Sequence, residues 1–88
     1  MADVAVTVKI MPASPEVDLE NLASLIEEAL PGEASLRAVE HEDVAFGLVA
    51  LVASIIVADA EGGTEAVESA IADLDDVESV SIENVGRL

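Results

Sequence analysis

The sequence predicts an α/β (α+β) domain of two layers, ordered β-α-β-β-α-β, with two helices on one face of a four-stranded antiparallel sheet. Three observations carry that prediction. Residues 3–10 alternate apolar and polar side chains with the period of a half-buried strand. Two later segments, 19–30 and 67–74, repeat apolar residues at helical spacing. Between them, residues 44–58 form an almost unbroken apolar run rich in β-branched side chains, as suits a central strand. Right-handed crossovers then bring both helices to the same side.

In the first strand Val4, Val6, Val8 and Ile10 share one face, and Ala5, Thr7 and Lys9 share the other. Met11-Pro12-Ala13-Ser14-Pro15 follows, and its two prolines, which have no N–H to give, are expected to stop the ladder. Asp18 is placed to cap the first helix. Leu19, Leu22, Ala23, Ile26, Ala29 and Leu30 make its inner stripe, with Glu16, Glu20, Glu27 and Glu28 outside. Pro31-Gly32 ends it.

Residues 35–42 read as a second, less regular strand in which Leu36, Ala38 and Val39 compete for the inner face. Glu40-His41-Glu42-Asp43 is a charged stretch at or near the turn. The third strand starts at about Gly47, and both of its faces are apolar, so one is left partly exposed or covered by a partner. Residues 59–64 read as a loop with Thr64 as the helix cap, which sets Glu65 and Glu68 in the first turn. Val67, Ala70, Ile71 and Leu74 form the stripe of the second helix. Asp73, Asp75 and Asp76 close it against the sign of its dipole. The last strand, 79–85, turns Val80 and Ile82 inward. The order is that of the ferredoxin-like two-layer sandwich.

Composition bounds what such a domain can do. Eighty-eight residues suffice for one domain. The chain is 52% apolar but has one aromatic residue, Phe46, so the core is aliphatic. Without cysteine there is neither a disulfide nor a thiolate metal site. Residues 44–58 are shorter than the roughly 20 residues a membrane helix needs. The start of the chain lacks the pattern of a secretory signal, so a cytoplasmic protein is expected. Nineteen acids against Lys9, Arg37 and Arg87 give a net charge of −16. That charge repels nucleic acid and anionic membrane, which are bound through Lys and Arg. Either a specific basic partner or a high-salt cytoplasm, where surface repulsion is screened, would account for such a charge, and the spread of the acids along the chain, not gathered in a tail, favours high salt. On this reading the unfolding midpoint rises with added KCl.

Few residues are candidates for chemistry. His41 is the only histidine, and its neighbours Glu40 and Glu42 point to the opposite face of a strand, so no metal site is expected. Gly62-Gly63-Thr64 lacks the first glycine and the lysine of a phosphate loop. Asp75-Asp76 reads as a solvated helix end. Two features stand apart. Phe46 is a lone aromatic beside a glycine at an element end, either a core residue or a protein-contact anchor. Arg87 is a cation next to the last residue of an acidic chain, either a frayed end or a contact.

Val8-Lys9-Ile10-Met11-Pro12, Asp18-Leu19-Glu20-Asn21-Leu22, Val44-Ala45-Phe46-Gly47-Leu48 and Val85-Gly86-Arg87-Leu88, in that order and at those distances, resemble the archaeal elongation factor 1-beta family. The resemblance covers essentially the whole chain, so residues 1–88 are expected to be one exchange domain. It implies the ferredoxin-like fold and an activity that residue chemistry does not reveal: guanine-nucleotide exchange on the translation GTPase elongation factor 1-alpha. It implies no cofactor, no metal and no covalent catalysis, hence not an enzyme; separately, a protein that is monomeric alone is expected. In eukaryotic members a phenylalanine of a Phe-Gly pair inserts into the GTPase's nucleotide-binding domain, a role that falls here to Phe46 with Gly47 beside it. A lysine before the final leucine disturbs the magnesium and phosphate region, and its place is held here by Arg87, next to Leu88. Arginine keeps the charge but presents a rigid planar fork in place of a compact ammonium. The alternative is a ferredoxin-like small-molecule-sensing or oligomerising module. A glycine-lined pocket and a symmetric dimer would mark it, whereas a projecting Phe46 marks exchange.

Overall fold

The computed structural model describes residues 3–30, 32, 34–58 and 63–87. Its elements run β1 (Val4–Pro12), α1 (Leu19–Ala29), β2 (Ala34–Asp43), β3 (Val49–Val57), α2 (Gly63–Ala72) and β4 (Val77–Arg87). The sheet order is β2-β3-β1-β4, and every neighbouring pair is antiparallel. With both helices on one face, this is the ferredoxin-like topology. None of the described helices is long and apolar enough to cross a membrane.

Burial follows the alternation in the sequence. Val6, Val8 and Ile10 of β1, Leu51, Ile55 and Val57 of β3, Leu22 and Ile26 of α1, and Val67 and Ile71 of α2 are all 0% exposed. Each contributes about 1.5–3 kcal/mol by leaving water. Asp18 caps α1, its carboxylate accepting from the Glu20 and Asn21 N–H groups at 3.0 and 3.3 Å. The edge strands add half-buried Leu36 and Val39 from β2, and Val80 and Ile82 from β4.

Several boundaries differ from expectation, each for a physical reason. Strand β1 runs through Met11 and Pro12 and does not stop at Ile10. Beyond Ile10 its only partner is β4, and the register shifts between Met11 and Pro12, a strand end and bulge where a sheet tolerates proline. In β2 the competition for the inner face is resolved by a bulge. Leu36 pairs with Ile55 and Ala38 with Ser54, so Arg37 is the extra residue. Leu36 and Val39 therefore both face the core, and Ala38 is exposed. Glu40-His41-Glu42-Asp43 belongs to β2 itself, ahead of the turn. Strand β3 begins at Val49, not at Gly47, which lies in the turn. Helix α2 begins at Gly63, so Thr64 sits in its first turn and is not its cap. The last strand is longer than expected at both ends and carries Arg87 within it. It has two bulges on the β1 side, where Glu78 and Glu83 are the extra residues, which blunt an exposed edge.

Candidate functional site

The β2–β3 hairpin reaches beyond the sheet. The two strands pair as far as Glu42 with Ala50 and Asp43 with Val49, whereas β1 accompanies β3 only to Ile10 opposite Leu51. The end of the hairpin is thus a two-stranded ribbon. Its turn is closed by the Leu48 N–H donating to the Ala45 carbonyl at 2.9 Å and the Val44 N–H donating to the Leu48 carbonyl at 3.0 Å. The two central residues have positive φ, 55° at Phe46 and 80° at Gly47. That is the sign pattern of a type I′ turn, for which Asn-Gly or Asp-Gly is the preferred pair. A bulky side chain in the left-handed region costs roughly 1–2 kcal/mol. Phe46 gains nothing from packing in return, because it is 98% exposed. Neither burial nor turn chemistry accounts for an aromatic ring there. Val44, at 44% exposed, adds to the apolar surface of the tip.

The C-terminal candidate lies at the other end. Strand β4 pairs Val77 with Pro12, Gly86 with Ala5 and Arg87 with Val4. The Arg87 backbone is itself paired in the ladder, opposite Val4. Six rungs separate Ile10 from Val4, and at about 3.4 Å per residue they place Phe46 and Arg87 more than about 20 Å apart. The fold holds the two residues singled out by the sequence at opposite poles and does not bring them together. A Cβ added to Gly86 would meet nothing within 4 Å, so no internal neighbour requires glycine there. Leu88 lies outside the described residues.

The remaining candidates do not assemble into a catalytic centre. His41 is exposed on β2 opposite Leu51, while Glu40 and Glu42 pair with Val52 and Ala50, on the other face. Among the described residues there is no enclosed pocket and no cluster of metal-ligating side chains. Gly62 lies outside the described residues, and Gly63 opens α2. Sequence reasoning missed one pair. The Lys9 ammonium lies 3.0 Å from a Glu42 carboxylate oxygen on the helix-free face of the sheet. Its signal was the position of Lys9, one of three cations, on the polar face of β1.

The chain is similar to known proteins over its whole length. A sequence model of the EF-1 guanine nucleotide exchange domain matches residues 5–88, a span that takes in Phe46, Gly47, Arg87 and Leu88. The chain is 56% identical over 88 residues to elongation factor 1-beta of Halorubrum lacusprofundi, the whole of both chains being covered. It is 58% identical, again over the whole of both, to elongation factor 1-beta of Haloarcula marismortui. With elongation factor 1-beta of Methanobrevibacter smithii the identity is 52%, over all of this chain and 99% of the relative.

Proposed function

The chain belongs to the elongation factor 1-beta family of guanine-nucleotide exchange factors, and on that premise we propose that it grips its GTPase through two separated poles, Phe46 with Gly47 at one and Arg87 with Leu88 at the other. It promotes GDP release and GTP rebinding on elongation factor 1-alpha. No bond is made or broken, so the factor is not an enzyme. Exchange is linkage. A protein that binds the nucleotide-free GTPase more tightly than the loaded form weakens nucleotide affinity by the same ratio.

The observation that carries the assignment of residues is Phe46, wholly exposed on a left-handed backbone. A rigid aromatic on a tight turn offers contact area with little side-chain entropy to lose, as interface anchors do. Arg87 supplies the second action. Directed at the magnesium and phosphate region, its cation competes for the groups that hold the nucleotide. The spacing of the poles supports a division of labour, with docking at Phe46 and loosening of the nucleotide at Arg87. The net charge of −16 and the haloarchaeal relatives mark the protein as halophilic. Residues 1–88 act as one exchange domain in the cytoplasm, where its GTPase works. The test is release of labelled GDP from elongation factor 1-alpha in high-salt buffer. Acceleration that saturates with added factor is expected, and an unchanged off-rate overturns the reading.

A further inference from the structure

The hairpin that presents Phe46 has a support that neither the turn nor the core provides. Lys9 stands on β1 opposite Val52, and Glu42 stands on β2 opposite Ala50. The strand between them is β3, so the ion pair crosses it diagonally on the helix-free face of the sheet. Ala50, below the crossing, is 0% exposed although no helix covers that face. Glu42 is also the first β2 residue whose β3 partner lies beyond the reach of β1, since that ladder ends at Ile10 and Leu51. The pair therefore ties the root of the projecting ribbon back to the sheet. A free two-stranded ribbon is marginally stable and twists strongly, so its direction is set by whatever holds its root.

We infer that Lys9 and Glu42 are positioning residues for nucleotide exchange, a brace that sets the direction in which the hairpin presents Phe46; this rests on the docking role given to Phe46 above. In a chain of −16, where acids are plentiful and cations number three, one cation is spent on this contact. The Lys9 and Glu42 side chains are 29% and 48% exposed, so the pair is partly shielded from salt. The brace narrows the range of ribbon directions, and removing it lowers the fraction of molecules poised to dock. Apparent affinity falls by that fraction while the maximal exchange rate stays the same.

The experiment compares Lys9→Met, Glu42→Gln and the swap Lys9→Glu with Glu42→Lys. Labelled-GDP release from elongation factor 1-alpha is followed against factor concentration in high salt, with thermal unfolding as the control for folding. Each single variant is expected to raise the half-saturating concentration about three- to fivefold, the limit set by a partly exposed ion pair, at an unchanged maximal rate. The swap is expected to restore it. A purely structural pair would shift unfolding and leave half-saturation alone. Parental half-saturation in both single variants overturns the brace, and so does a swap as weak as they are, which would make Lys9 a direct contact with the partner. Backbone ¹⁵N relaxation supplies a readout independent of the GTPase. Amides of residues 44–48 should become more mobile in Lys9→Met, and unchanged order there overturns the brace. If the parental protein fails to accelerate GDP release, the exchange reading falls, while the relaxation data still decide the brace.

Discussion

The helix-covered face of the sheet and the tip of the β2–β3 hairpin are built on opposite terms. Across the first, side chains from β1, β3, α1 and α2 interlock at 0% exposure, and every one is aliphatic. At the second, the only aromatic residue of the chain stands 98% exposed on a backbone that disfavours it. Burial by itself would put the largest apolar ring inside and an asparagine in the turn. If Phe46 docks on the GTPase as proposed, the inversion separates stability from recognition. On the proposed reading, residues in the core hold the fold, whereas the tip gives up local stability for contact with the GTPase. Substitutions in the two regions should therefore fail in different assays.

The largest effect belongs to the core. Ile55 sits on β3 between Val6 of β1 and Leu36 of β2, and it is fully buried. Ile55→Ala removes buried methyl groups and leaves a cavity, so unfolding free energy should fall by about 2–5 kcal/mol in denaturant titration. Exchange by the fraction that stays folded should be unaltered. A loss below about 1 kcal/mol would show that the sheet collapses around the gap and that the core is looser than its burial implies.

Phe46→Ala reverses the pattern. Binding to nucleotide-free elongation factor 1-alpha should weaken by about 2 kcal/mol or more, the scale of an aromatic hot spot. The unfolding midpoint should move little, because a side chain in water loses no packing when truncated. Calorimetric titration and thermal melts on the same samples make the comparison. A collapse of stability would return the ring to a structural role and erase the contrast between core and tip.

At the opposite pole, Arg87→Ala should slow catalysed GDP release about tenfold at saturating factor, equivalent to about 1.4 kcal/mol. Magnesium is held constant, and the variant should melt with the parent. Arg87→Lys distinguishes charge from shape. Substantial retained activity means that the cation suffices, and little means that the guanidinium fork is required. Exchange at the parental rate by Arg87→Ala would leave the hairpin pole to account for the whole activity.

Legibility in the sequence followed the same division. Val4, Val6, Val8 and Ile10 declared their strand and its buried face, and Asp18 declared its helix, because period and capping are local properties. The bulge at Arg37 was not legible, since an extra residue is defined only against the partner strand, and its trace was the apparent rivalry of Leu36, Ala38 and Val39. Phe46 and Arg87 were identifiable as oddities of composition, but not as opposite poles, because that separation depends on strand order and register. The Phe-Gly pair between two β-rich runs did carry a turn signal, hidden because phenylalanine is the wrong residue for the first position of that turn. The Lys9–Glu42 pair joins strands that are not neighbours in the sheet, beyond the reach of local spacing.

The smallest expected effect tests the trade at the tip most directly. Asparagine tolerates the left-handed region through its short polar side chain, and Asn-Gly is the favoured centre of a type I′ turn. Phe46→Asn should therefore stabilise the domain by up to about 1 kcal/mol, seen as a small rise in the unfolding midpoint, since a strained residue is replaced by a compatible one. Glycine at the same position relieves the strain too, but it adds freedom to the unfolded chain, so Phe46→Gly should gain less. Both variants should lose GTPase binding as fully as Phe46→Ala, because all three lack the ring. Stability and activity would then move in opposite directions at one residue, as expected where a turn is kept strained for its function. A lower midpoint for Phe46→Asn would mean that the ring supports the hairpin even from solvent, and the separation of recognition from stability would fail at the residue where it is sharpest.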